Sequence, residues 1–169
     1  MSTRLFALAL AALVASQFAD ASDQGVNAVY ERMQAAYASL DAAKLETVYS
    51  PDATYLPGSP KANVNNRQAI QRGLGGFIDK VRANNGRIEV SFRIVERKRF
   101  DGIFIDNGYV RSVIDYGDGK PPVVSNGKFQ TAIVRQPDGK WAFVSDSDSE
   151  TPPASYDKAK PLVGVKFDE

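Results

Sequence analysis

Apolar residues at Val26, Val29, Tyr30, Met33, Tyr37 and Leu40 recur three and four positions apart, which places them on one stripe of a helix with Glu31, Arg32 and Gln34 outside. Asp41 caps a short second helix carrying Leu45, Val48 and Tyr49, and Pro51 ends it because the residue before a proline avoids the α region. Asp52 to Leu56 is then strand-like, with Thr54 and Tyr55 favouring extended backbone, before Pro57-Gly58-Ser59-Pro60 forces a loop. A third helix is predicted from Asn66 to Val81, where Ile70, Leu74, Phe77, Ile78 and Val81 are in phase. Gly73, Gly75 and Gly76 lie inside it. Each costs about 1 kcal/mol of helix propensity against alanine, so together they imply a kink or a close backbone approach. They do not make a phosphate loop, since no preceding strand and no following Lys-Ser/Thr accompanies them.

Asn84-Asn85-Gly86 stops this helix, and the period changes from 3.6 to two. Ile88, Val90, Phe92 and Ile94 alternate with Glu89, Ser91 and Arg93, the pattern of a half-buried strand. Asp101-Gly102 turns the chain into a strand from Ile103 to Tyr116, bent at Asp106-Asn107-Gly108, and Gly117 to Pro122 connects onward. Two strand-like runs between Ser125 and Ser149 are joined by Gln136-Pro137-Asp138-Gly139-Lys140, a hairpin in which glycine accepts positive φ. Trp141, the only tryptophan, opens the second run. Strict alternation sets Trp141, Phe143, Ser145 and Ser147 on one face and Ala142, Val144, Asp146 and Asp148 on the other. With the rings inward, the serines line the interior and the aspartates face out. The order of elements is that of an α+β domain, helices first and a meander of about four strands after.

Composition narrows the partners. The 169 residues carry 21 basic and 20 acidic side chains, a net charge of +1, so no global field draws nucleic acid or an anionic membrane. Arg4, the apolar run from Leu5 to Val14 and Ala19-Asp20-Ala21 have the layout of a cleaved secretory signal over residues 1–21. The run is about ten residues, short of the roughly twenty a spanning helix needs, so no membrane insertion is expected after its removal. The expectation is a periplasmic or secreted protein with one domain over 22–150 and a tail over 151–169. The tail, with Pro152, Pro153 and Pro161, wraps the surface or is partly disordered. Cysteine is absent, so packing alone stabilises the exported chain.

Asp41-Ala42-Ala43-Lys44-Leu45 leading to Ser50-Pro51-Asp52-Ala53-Thr54-Tyr55, with a closing Asp138-Gly139-Lys140-Trp141, resembles the nuclear transport factor 2-like superfamily. Within it, the small SnoaL-like and ketosteroid-isomerase-like domains are the nearest in look, over Asp23 to Ser149. The resemblance implies a cystatin-like cone, a curved antiparallel sheet wrapped around N-terminal helices. It further implies a pocket at the cone's open end and a homodimer through the sheet. Aligned without gaps on Asp41 and Asp52-Ala53, Met33 stands where the isomerases have their oxyanion tyrosine. Leu56 and Pro57 stand at the general-base aspartate, and Lys128 at the protonated aspartate. The isomerase set is not retained. Dehydratase members rely on histidines, and relatives carry them near the end of the last strand, where this chain has Ser145 and Ser147; it has no histidine at all.

Without His or Cys the usual nucleophile and base pairings are missing, and a Ser-Lys or Asp-Arg arrangement would draw on Lys128, Arg111, Asp115, Tyr55 and Tyr109. Arg111 and Asp115 are expected to pair on the sheet surface, and Arg93, Arg97, Lys98 and Arg99 to form a solvated strand edge. Asp146-Ser147-Asp148 lacks the glycine and downstream glutamate of a calcium loop, so neither metal nor cofactor is expected. Tyr30, Tyr37, Tyr49, Tyr55, Phe77, Phe92 and Trp141 all fall on inward faces, and buried phenols need partners or a partly polar cavity. Tyr55, Lys128, Ser145 and Ser147, with Arg111, are the expected ligand contacts. The resulting expectation is an exported protein holding a small hydrophobic or amphipathic molecule. One alternative is a lyase, isomerase or hydrolase with an Asp or Lys base, which requires a carboxylate inside the cavity with a raised pKa. Another is an interaction module with a broad apolar patch and a closed or absent cavity.

Overall fold

The computed structural model describes residues 23–58, 64–163 and 165–167, so the secretory segment expected over 1–21 lies outside the described residues. Helix α1 spans 23–38 and buries the predicted stripe, with Val26, Val29 and Tyr30 fully enclosed and Met33 and Tyr37 packed beside them. Its polar side is not all solvated. Arg32 donates from Nη2 to the Trp141 carbonyl at 2.6 Å, and Gln34 donates from Nε2 to the carbonyls of Val90 and Phe167, both at 2.8 Å. These bonds tie the helix to strands on either side of the sheet's middle.

A 3-10 helix, Ala42–Thr47, follows under the cap of Asp41, whose Oδ1 accepts from the Ala43 N–H at 3.0 Å. It ends earlier than expected: β1 runs Tyr49–Leu56 and takes Tyr49, Ser50 and Pro51 into the sheet. The pairing slips between Tyr49 and Thr54, and that irregularity accommodates Pro51, which has no N–H to give to a ladder. β2 (Val64–Asn65) pairs with β1, and Asn66 then caps α2 (Arg67–Ala83) by accepting from the Ala69 N–H at 3.0 Å. The three glycines leave α2 one helix of 17 residues. Gly75 alone marks a close approach, since a Cβ there would stand 3.1 Å from that of Ala42.

β3 (Arg87–Phe100), β4 (Ile103–Asp115), β5 (Val123–Arg135) and β6 (Trp141–Glu150) form the expected antiparallel meander. β1 joins it parallel to β6, and the curved, unclosed sheet has the order β2-β1-β6-β5-β4-β3-β7. The β5–β6 turn is closed by Gln136 N–H to the Lys140 carbonyl at 2.7 Å, with Gly139 at φ 84°. Two bulges change which side chains face the helices. Val95 is an extra residue in β3 opposite β4, and Val144 is an extra residue in β6 opposite β5. Each reverses the inside-outside alternation for the rest of its strand.

Of the two fates expected for the tail, wrapping is the observed one. α3 (Pro153–Lys158) lies on the sheet with Tyr156 buried between the guanidinium groups of Arg93 and Arg111, 4.4 and 4.2 Å from its ring centre. β7 (Lys166–Phe167) then pairs with β3. The basic run is a solvated edge only in part: Lys98 and Arg99 are exposed, whereas β7 pairs with β3 at Phe92 and Arg93, Arg93 stacks on Tyr156, and Arg97 is turned inward by the Val95 bulge.

Candidate functional site

The parallel strands β1 and β6 bring two tyrosines against two aspartates. Tyr49 donates its hydroxyl to Asp146 Oδ2 at 2.8 Å, and Tyr55 donates to Asp148 Oδ1 at 2.8 Å. Tyr37 of α1 lies within electrostatic reach of both carboxylates. These groups line one end of a cavity of about 150 Å³ between α1, α2 and the sheet. Its walls are otherwise mostly apolar, with Met33, Leu74 and Phe77 from the helices and Phe92, Phe129 and Phe143 from the sheet, beside the hydroxyls of Tyr30, Ser112 and Thr131. A void of that size accommodates a single aromatic ring. Tyr49 and Asp146 are buried, whereas Tyr55 and Asp148 are half-buried and stand nearer the solvent.

Asp146 is 7% exposed and, among the described residues, faces no cation. Removal from water disfavours its charged form and lifts its pKa to about 7, the hydrogen bond from Tyr49 works against that rise, and the nearby charge of Asp148 adds to it. Burial and the same carboxylates push the Tyr37, Tyr49 and Tyr55 phenols upward, so all three stay protonated donors at neutral pH. The arrangement can hold or release one proton at Asp146 and offer neutral donors around it.

A second polar cluster lies one strand away. Register aligns Asp106 of β4, Thr131 of β5 and Asp146 of β6 in a single row across the sheet. Asp106, wholly buried, receives Arg97 through two bonds, Nε to Oδ1 at 2.8 Å and Nη2 to Oδ2 at 2.7 Å. Tyr30 donates to Asp106 Oδ2 at 2.9 Å and shares a 2.7 Å bond with Thr131 Oγ1. Arg97 Nη1 also bonds Asn27 Oδ1 at 2.9 Å, which pins α1 to the sheet.

Of the five expected ligand contacts, only Tyr55 reaches this cavity. Ser145 and Ser147 point to the other side and Asp146 and Asp148 point in, the reverse of the expected facing, because the Val144 bulge shifts the alternation by one residue. Ser147 donates to the Gln130 carbonyl at 3.2 Å and shares a shallow outer groove with Lys128 and Tyr109. Arg111 is held away from the cavity by Asn126 Oδ1 at 3.0 Å and Asp157 Oδ1 at 2.6 Å. It does not pair with Asp115, which instead meets Arg87 at 3.4 Å and caps the Gly117 N–H. Among the described residues no group of three or more His, Cys, Asp or Glu is arranged to hold a metal ion.

No protein-family model and no curated protein sequence matches the chain. Solved structures do. ActVI-ORFA from Streptomyces coelicolor superposes with a TM-score of 0.65 at 17% identity, covering 77% of this chain and 97% of that one. A nuclear transport factor 2-like superfamily protein from Salmonella enterica gives 0.64 at 12% identity, over 86% and 97% of the two chains. A protein with a cystatin-like fold from Caulobacter vibrioides gives 0.61 at 12% identity, over 80% and 93%. The fold is that of the nuclear transport factor 2-like superfamily. At these identities the likeness concerns the fold alone, and a fold of this kind hosts unrelated activities. What happens at Asp146 has to be argued from the site.

Proposed function

We propose that this chain binds a small organic molecule, largely apolar with one polar end, in the cavity between α1, α2 and the sheet. The observation that carries the reading is Asp146, a buried carboxylate with no cationic partner among the described residues, on the wall of an aromatic cavity. A lone buried carboxylate is costly to fold around, and such groups concentrate at functional sites. An interaction module was expected to have a closed or absent cavity, and the space beside Asp146 favours a ligand instead. Native mass spectrometry of the full chain from its own host, followed by denaturation, tests this directly. A stoichiometric organic adduct is the expected result. A chain free of adduct that also ignores phenol-sized molecules in an NMR titration overturns the reading.

A second reading has a specific observation behind it. With its pKa near 7, Asp146 is divided between acid and base at neutral pH, as a group that takes and returns a proton must be. The reaction class is proton abstraction beside a carbonyl, as in isomerisation or elimination. Deuterium uptake at the α-carbon of small enolisable ketones, followed by NMR, should be faster with the protein than without it. Asp146→Asn should remove the difference, and equal rates for both proteins would sink the idea.

The same reading includes export and a homodimer through the outer face of the sheet, where Val124 is exposed. Intact mass of the exported form should show residues 1–21 removed. Sedimentation at micromolar concentration should give twice the chain mass.

A further inference from the structure

We propose that the cavity selects an organic cation, a primary or secondary arylalkyl ammonium, which seats its ring among the aromatic walls and donates from nitrogen to Asp146 and Asp148. This rests on the reading of the cavity as a small-molecule site and names the chemical class that fits it. Charge supplies the first argument. Two carboxylates line the cavity and, among the described residues, no lysine or arginine does. The one guanidinium near that row of the sheet, Arg97, is committed to Asp106 on the far side of Thr131. An anionic ligand would meet two carboxylates and no compensating donor charge, which in a desolvated site is strongly unfavourable.

Hydrogen bonding supplies the second. Tyr49 satisfies Asp146 Oδ2, while Oδ1 accepts no hydrogen bond among the described residues although the side chain is more than nine-tenths buried on the cavity wall. Tyr55 likewise takes Oδ1 of Asp148 and leaves Oδ2 without a bond among those residues. The two residues share one strand face, two positions apart, so their unfilled oxygens lie on the same cavity end. An N–H donor fits these oxygens, and a second acceptor does not. The third argument is the aromatic lining of the cavity, which includes Tyr37, Tyr49, Tyr55 and Phe143, since a ring face attracts a cation more than a neutral alcohol of the same shape.

A pH dependence follows. The titratable groups facing Asp146 are Tyr37 from α1, Tyr49 and Tyr55 from β1, and Asp148 from its own strand, and none is basic. The phenols stay neutral through the neutral range, so the proton that matters is that of Asp146. Burial holds its pKa near 7, so an ammonium must displace a proton from it below that pH and need not above it. Affinity therefore rises between about pH 6 and about pH 8, and binding at the lower pH releases a proton.

Calorimetric titration of the full chain with 2-phenylethylammonium, 2-phenylethanol and 3-phenylpropanoate tests the proposal, the three probes having similar size and different charge. The cation is expected to bind roughly tenfold or more tighter than the alcohol at about pH 8, and the carboxylate not to bind detectably. Asp146→Asn should remove most of the cation's advantage over the alcohol. Asp148→Asn, at a half-buried position that folding tolerates better, should give a smaller loss in the same direction. Equal affinity for cation and alcohol, or preference for the carboxylate, overturns the cation inference and leaves the small-molecule site standing. Failure of all three probes to bind overturns both.

Discussion

Asp106 and Asp146 are both buried aspartates, they flank the same Thr131 in one row of the sheet, and they are used in opposite ways. Asp106 is given everything a buried carboxylate requires: two bonds from Arg97, one from Tyr30, and full enclosure. Asp146 receives a single phenol and opens onto a cavity. The first arrangement locks α1 against β3 and β4 and leaves nothing over for a ligand. The second leaves an acceptor oxygen and a movable proton facing empty space. The lesson is that burial of a charge does not by itself mark a site. The unfilled remainder of its hydrogen-bonding capacity does.

The sharpest way to break this comparison is Arg97→Met. It leaves Asp106 buried without its counter-charge, and a one-sided deletion from a buried pair should lower folding stability by about 3 to 5 kcal/mol in urea denaturation. A loss under about 1 kcal/mol would mean that Asp106 is no more structural than Asp146.

Asp146→Asn should do the reverse. The folded-state pKa of Asp146 is raised to about 7, so between the ordinary carboxylate range and pH 7 the native state binds more protons than the unfolded one. Stability therefore falls as pH rises through this window and levels off above it. The loss at pH 8 from this one group is on the order of 4 kcal/mol. Asparagine keeps an oxygen for Tyr49 and removes the ionisation, so the variant should be the more stable protein at pH 8 and its profile should be flat from pH 4 to 8. A variant that keeps the slope would move the proton to another group.

Tyr49→Phe sharpens the comparison from the donor side, with a smaller effect. The hydrogen bond from Tyr49 is what opposes the rise at Asp146, so its removal should carry the Asp146 midpoint above about 7 in a carboxyl NMR titration. The buried hydroxyl's loss should also lower stability by about 1 kcal/mol. An unchanged midpoint would show that the 2.8 Å contact does not persist in solution.

The sequence carried most of the fold and half of the site. The stripe from Val26 to Tyr37, the cap at Asp41, and the turn at Gln136 to Lys140 all follow from local rules, and each stands where those rules put it. Tyr37 was legible as an inward phenol from helix phase and Tyr55 from strand propensity, whereas Tyr49, expected on the short helix, opens β1 and turns inward from the strand. The aspartates were not, because a residue's side of a strand depends on every residue before it in the ladder. A single extra residue, Val144, reversed Ser145 to Asp148. No glycine or proline marks that bulge, since valine suits extended backbone on either side of it. Arg97 was misplaced for the same reason by Val95. Both errors lie beyond a bulge, and both concern the charged residues that decide the chemistry.

The outer groove gives the smallest expected effect and the cleanest contrast. Lys128 and Ser147 have the composition of a ligand site, yet they lie on the side of β5 and β6 away from Asp146, and Ser147 already bonds the Gln130 carbonyl. Lys128→Ala and Ser147→Ala should each leave the affinity for 2-phenylethylammonium within about twofold and folding stability within about 0.5 kcal/mol, as for other surface changes. If either substitution weakened that binding tenfold, the ligand would have to sit on the outer face, and the Val144 bulge would not have the consequence assigned to it. If both are silent while Asp146→Asn is not, the one-residue shift in β6 is what determines which face of this sheet carries the chemistry.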